Sequence, residues 1–143
     1  MLSKKVLVTS VLMTASFSSL AHASCDDTAL HEHMETIKTE MKSLAFEVKK
    51  EDYAAADVRI DKIIAELKDA RNEKPYLFTE EGLSGDELAK RQADYQSVID
   101  DTVTAFMALD KAVSEENADS AKTALGEIGN LRKKGHRAFK ADC

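Results

Sequence analysis

The sequence is poor in the residues that interrupt or staple a chain: its 143 residues hold one proline, Pro75, five glycines and two cysteines. Little proline or glycine means few enforced breaks, which leaves room for long helices. Cys-x-x-Cys is absent, so the usual dithiol and zinc-ribbon spacings are absent with it. Also missing are a Ser/His/Asp set, a phosphate-binding loop and a metal-hydrolase motif, and the chain reads as a non-enzyme. Positive charge is in deficit, with 26 acidic residues against 20 basic ones. That balance argues against nucleic acid or an anionic membrane as partner, since both need a basic face, and it suits docking to basic protein patches. A single domain is the size that this length supports.

No apolar run is long enough for a convincing membrane span. The one from Val6 to Leu20 follows Lys4 and Lys5, is interrupted by Thr9, Ser10, Thr14, Ser16, Ser18 and Ser19, and ends in Ala21-His22-Ala23. A basic start, a short apolar stretch and a small-x-small site make residues 1–23 a cleavable secretory signal, so the mature domain is expected over 24–143 as a soluble periplasmic protein. A lipoprotein signal also ends in cysteine, which keeps lipidation at Cys25 as an alternative, although His22 stands where such a signal wants an apolar residue. Removing Lys4 and Lys5 with the leader leaves 26 acidic against 18 basic residues, a formal charge of −8. Cys25 and Cys143 remain, one at each end. In an exported protein such a pair reads as a disulfide, which would close nearly the whole mature chain and stabilise it by about 4 kcal/mol on the chain-entropy model.

Between those ends the hydrophobic period is helical. Leu30, Met34, Ile37, Met41, Leu44 and Val48 recur at alternating steps of four and three, the seam of a bundle helix, with a cap expected in Ser24 to Thr28. A charged turn ending at Asp52 precedes a second helix with Tyr53, Ala56, Ile60, Ile63, Ile64, Leu67 and Ala70 on one face. The pattern then breaks from Asn72 to Gly85, which reads as the longest loop. Ser84-Gly85-Asp86-Glu87 has the form of a capping box, opening a third helix faced by Leu88, Tyr95, Val98, Ile99, Thr102, Phe106, Leu109 and Val113. After a turn at Ser114 to Asn117, a fourth helix carries Ala121, Leu125, Ile128, Leu131 and Phe139. Short first and third connections predict an all-α, antiparallel up-down-up-down four-helix bundle.

In that topology the start of the first helix and the end of the fourth share one end of the bundle, where Met34 and His136 fall at similar depth. At ~100° per residue His136 lies within ~20° of Leu125 and Gly129, which predicts that it points at or near the core. Singly, each residue has a plainer reading: a seam methionine fills core space, and a histidine near a helix C-terminus complements its dipole. Together, an imidazole and a thioether on facing helices form the axial pair of a six-coordinate, electron-transferring haem. Gly126, Gly129 and Gly135, each costing roughly 1 kcal/mol in a helix interior, would let a flat macrocycle approach the backbone.

Met34-Glu35-Thr36-Ile37, with Met41 and Lys42 one heptad on, the closing Arg132-x-x-x-His136, and Pro75 in the central loop resemble the cytochrome b562 family of periplasmic four-helix cytochromes. The resemblance spans the mature chain in length and helix order. It implies one non-covalent haem b held by Met34 and His136, with Arg132, Arg137 and Lys140 near the propionates and Tyr95 and Ile99 in the pocket wall. The related cytochromes c′ attach haem through Cys-x-x-Cys-His, and here Arg132 and Gly135 occupy the two cysteine positions, so no thioether bond can form. His31 and His33 flank Met34 and leave bis-histidine ligation, or a copper site with Met34, open.

The expected function is therefore one-electron transfer between periplasmic redox proteins by a monomer or weak dimer. The alternatives are a haem or copper carrier, or a haem-free helical adaptor or stress protein.

Overall fold

A computed structural model describes residues 25–142. The expected leader and Cys143, one half of the expected bridge, lie outside the described residues. Within them the chain is helical, without strands.

A 3-10 turn, Cys25–Asp27, leads into α1, Ala29–Lys49. Thr28 caps α1: its hydroxyl accepts from the His31 amide at 3.1 Å and donates to the Cys25 carbonyl at 2.9 Å, satisfying one of the orphan donors of the first turn. Glu51 takes a left-handed φ of 60°, reversing the chain, and Asp52 caps α2, Tyr53–Ala70, by accepting from the Ala55 amide. At the other end Asn117 caps α5, Ala118–Phe139, through the Ser120 amide.

Two local expectations fail. The segment read as a plain loop contains α3, Tyr76–Glu80, entered through Pro75 and anchored by Phe78, which is 1 % exposed. One turn buries one large side chain, too little periodicity for a pattern search to find. The Ser84 hydroxyl makes no capping bond to α4, Gly85–Ser114. Gly85 adopts φ +57°, a left-handed step that takes the chain out of the geometry a capping box needs.

The core forms where the helical faces meet. Leu44 from α1, Ile60 and Ile63 from α2 and Leu109 from α4 are completely buried, with Phe106 and Ala121 beside them. Burying such an aliphatic side chain contributes roughly 1.5–3 kcal/mol.

α1 packs on α2, α4 on α5, and α2 on α4. Across α1 and α2, His33 meets Glu66, Glu40 meets Lys62 and Arg59, and Glu47 meets Arg59; residue numbers fall along α2 as they rise along α1. Glu40 is the buried acid of this seam, at 5 % exposure. Lys62 at 2.5 Å and Arg59 at 2.7 Å hold its carboxyl below the ordinary carboxylate range, which is how a buried carboxylate is tolerated. Across α4 and α5, Arg91 donates to the Ala138 carbonyl at 3.1 Å and Tyr95 sets its ring edge-on to Phe139 at 5.6 Å. Between α2 and α4, Tyr95 donates its hydroxyl to the Ala70 carbonyl at 2.6 Å, and Arg71 makes a two-pronged pair with Asp100.

Candidate functional site

The α1 seam changes character along its length. Leu44 and Val48 are buried, whereas Leu30, Met34, Ile37 and Met41, on the same stripe one to three turns earlier, are only half-buried against the core. A matching change occurs on α5. Its buried line is Ala121, Ala124, Ile128 and Leu131. Flanking that line at steps of four, three and four run Leu125 and Gly129, half-buried, then Arg132 and His136, exposed.

Both flanks go uncovered for one reason. α1 leans on α2 and α5 on α4, and α1 and α5 have no packing of comparable extent with each other. α1 thus keeps a half-buried apolar stripe, α5 a flank of Leu125, Gly129, Arg132 and His136, and the two helices do not pack extensively on each other.

Met34 lies on the α1 stripe. His136 lies on the α5 flank and not at the core, contrary to the sequence expectation. Gly135, one residue earlier, takes the position against α4, where a Cβ would come within 3.3 Å of Val98 Cγ1; the ~100° step to the next residue carries His136 to the edge. Partial desolvation, then the charges of Arg132 and Lys140, hold the imidazole pKa below 6.5, favouring the neutral form that ligates metal. The three glycines separate accordingly. Gly135 is a close helix contact, whereas a Cβ at Gly126 or Gly129 would meet nothing within 4 Å, so helix packing does not account for their cost.

Tyr95 is buried, its hydroxyl committed to the Ala70 carbonyl, and burial, with Glu73 nearby, raises its pKa above 10. It supports the α5 end through Phe139. Arg132 is exposed and has no ion pair among the described residues.

The two other histidines are turned to different partners. His33 Nδ1 lies 2.7 Å from Glu66 Oε2, towards α2, and His31 Nδ1 lies 3.6 Å from Asp26. No group of three or more His, Cys, Asp or Glu side chains suited to a metal occurs among the described residues.

Sequence reasoning missed Arg91, whose guanidinium sits 5.2 Å from the Phe78 ring and 5.6 Å from the Phe139 ring, clamping the α5 end to α3 and α4. An arginine in a charged stretch gave no sign of this; the aromatic partners are the only signal, and they are distant in sequence. Shallow clefts occur on the outer face of α5, lined by Asn130, Lys133, Lys134, Arg137 and Ala138, and along α4 and α5 near Ala108 and Thr123. Met34 and His136 line neither.

No described helix is long and apolar enough to cross a membrane. No curated protein and no solved structure shows a significant match to the chain. The family profile described as Cytochrome b562 does match, over residues 29–140, from the first residue of α1 to just past the last of α5. The chain therefore belongs to the cytochrome b562 family, helical proteins that bind haem b and carry electrons.

Proposed function

We propose that this chain is a periplasmic electron carrier holding one non-covalent haem b between Met34 and His136, exported by the signal at residues 1–23. In this reading residues 24–143 form an up-down-up-down four-helix bundle, tied by a Cys25–Cys143 disulfide, that meets its redox partners as a monomer or weak dimer. What supports it is the half-buried stripe of α1 that carries Met34 and the flank of α5 that carries His136, on two helices that do not pack extensively on each other.

The packing supports a common depth for the two ligands. His33 stands opposite Glu66; four residues on, Ala70 stands opposite Tyr95; three residues further along α4, Val98 stands opposite Gly135. Advancing four residues on α2 and returning three on α4 nearly cancel, which leaves Met34 and His136 within about one turn, ~5 Å, of the same level.

Haem, when bound, supplies reversible one-electron exchange. The chain's residues do the rest. The Met34 thioether and the neutral His136 imidazole would hold the haem iron between them, one ligand from α1 and one from α5. Arg132, unpaired and one turn from His136, would neutralise a propionate. Leu30, Ile37, Met41 and Leu125 would exclude water from the macrocycle, and Tyr95, through Phe139, would steady the helix end that carries the histidine. His33, already engaged by Glu66, is less available as a ligand than Met34.

Purified protein given haemin and then reduced is expected to develop the sharp α and β bands of a low-spin b-type cytochrome; a protein that takes up no haemin sinks the proposal. Gly129→Ala gives a finer test. It should raise the stability of the haem-free protein by about 1 kcal/mol, the helix-propensity gain, because the new methyl meets nothing in the fold, yet weaken haem binding by placing that methyl where the macrocycle lies. Thermal melts and haemin titrations read the two effects separately, and unchanged haem affinity would refute the placement.

A further inference from the structure

The last third of α5 is a basic island in an acidic protein. From Asn130 to Ala141 there are five cations, Arg132, Lys133, Lys134, Arg137 and Lys140, and no acid, in a chain whose formal charge is −6. Elsewhere Lys38, Arg59, Lys62, Arg71, Lys90, Arg91 and Lys111 are ion-paired, and the cations without a pair among the described residues, Lys42, Lys49, Lys50, Lys68, Lys74 and Lys122, are interspersed with acidic residues and not clustered in one acid-free stretch. None of the five in the island is paired with any described residue. Three of them, Lys133, Lys134 and Arg137, line one cleft with Asn130 and Ala138, positions at steps of three and four that make a single stripe.

The helix dipole does not account for this. Its pull on cations is confined to the last turn, which covers Arg137 and Lys140 but not Arg132, Lys133 or Lys134. Like charges at i, i+4, such as Lys133 and Arg137, cost a few tenths of a kcal/mol, and no internal pairing offsets that cost.

We infer that this cleft is the docking surface for the acidic face of a partner electron-transfer protein, an inference that rests on the haem reading above. The cleft lies on the outer face of the helix that carries the proposed ligand His136 and within about two turns of it along the axis, so a partner seated there is separated from the proposed haem site by α5 alone. Its size fits a transient encounter: Asn130 to Lys140 spans ~15 Å of helix, the scale of the small, polar interfaces used by redox pairs. Its isolation fits a protein partner better than an extended polyanion. A membrane or a nucleic acid would bring negative charge against the acidic remainder of the chain, whereas a compact acidic patch meets the island alone. Attraction at such a patch steers association and is screened by salt.

The test uses the haem-loaded, full mature protein and two probes. The first is an Asp/Glu-rich peptide of about a dozen residues, titrated while backbone amide shifts are recorded. Shifts confined to residues 130–140, lost at 0.5 M salt and lost in the triple variant Lys133→Glu, Lys134→Glu, Arg137→Glu, are expected. The second is ferricyanide oxidation of the reduced protein by stopped flow, where the wild-type rate should fall as salt is added and the variant should be about tenfold slower at low salt, the lower end of electrostatic steering effects. A triple-glutamine variant with wild-type helicity guards against misfolding and should fall between the two. Peptide shifts outside α5, or a wild-type rate that rises with salt, overturn the inference, as does tighter binding to phosphatidylglycerol vesicles than to the peptide. The peptide titration reads the surface with or without haem, so a protein that takes up no haemin yet shifts at residues 130–140 refutes the haem reading and supports the surface.

Discussion

His136→Ala is expected to abolish tight haem binding, lowering affinity by more than about 100-fold. The groups that merely hydrogen-bond to a metal ligand are worth roughly 10–100-fold on their own, and losing the ligand exceeds that. Haem-free stability should hardly change, because His136 is exposed and packs against nothing in the core. Met34→Ala should behave differently. Haem stays on the histidine, the spectrum moves from low-spin to high-spin, and the potential falls by on the order of 100 mV, a fraction of the ~0.8 V that axial ligands span, since the soft thioether favours Fe(II). Haemin titration, absorption spectra and redox titration of both variants make the check. An unchanged spectrum in Met34→Ala, with loss of the bands in His33→Ala, would replace Met34 with His33.

The second large effect concerns the ends of the chain. Reducing the proposed Cys25–Cys143 bridge, or changing Cys143 to Ser, is expected to cost about 4 kcal/mol through the restored freedom of a loop of more than a hundred residues, and to lower the melting temperature by on the order of 15 °C. Cys25 is 8 % exposed and no described cysteine is free, which suits a buried, tethered sulfur. Denaturant unfolding with and without reductant measures the difference. Mass analysis of the non-reduced protein decides the pairing, and two free thiols there would refute it.

Much of the helical architecture was legible in the sequence because its signals were local. Thr28 and Asp52 fall where a cap was sought or proposed, and the period of α1, α2, α4 and α5 is carried by the residues that are buried, Leu44, Ile60, Ile63, Leu109 and Ile128 among them. What escaped was non-local. Phe78 reaches the core from a single turn whose partners, Arg91 and Phe139, are supplied by α4 and α5. Glu40 was indistinguishable from any solvated acid until Arg59 and Lys62 arrived from the next helix. For the proposed site the sequence supplies residue types but not orientation: a stripe count places His136 at or near the core, whereas the close approach to Val98 falls to Gly135 and His136 is exposed.

Charged or hydrogen-bonded side chains stitch three of the helix seams: Glu40 with Arg59 and Lys62, Arg71 with Asp100, Arg91 with the Ala138 carbonyl. Among the described residues no such pair joins α1 to α5, and the two helices do not pack extensively on each other. On the proposed reading the prosthetic group joins the Cys25–Cys143 bridge in holding α1 to α5, and its binding free energy becomes folding free energy for that seam. Scarcity of haem would be felt first as loosening of α1 from α5 between those tethered ends, a local failure that leaves the α1–α2 ion pairs and the Arg91–Ala138 contact in place.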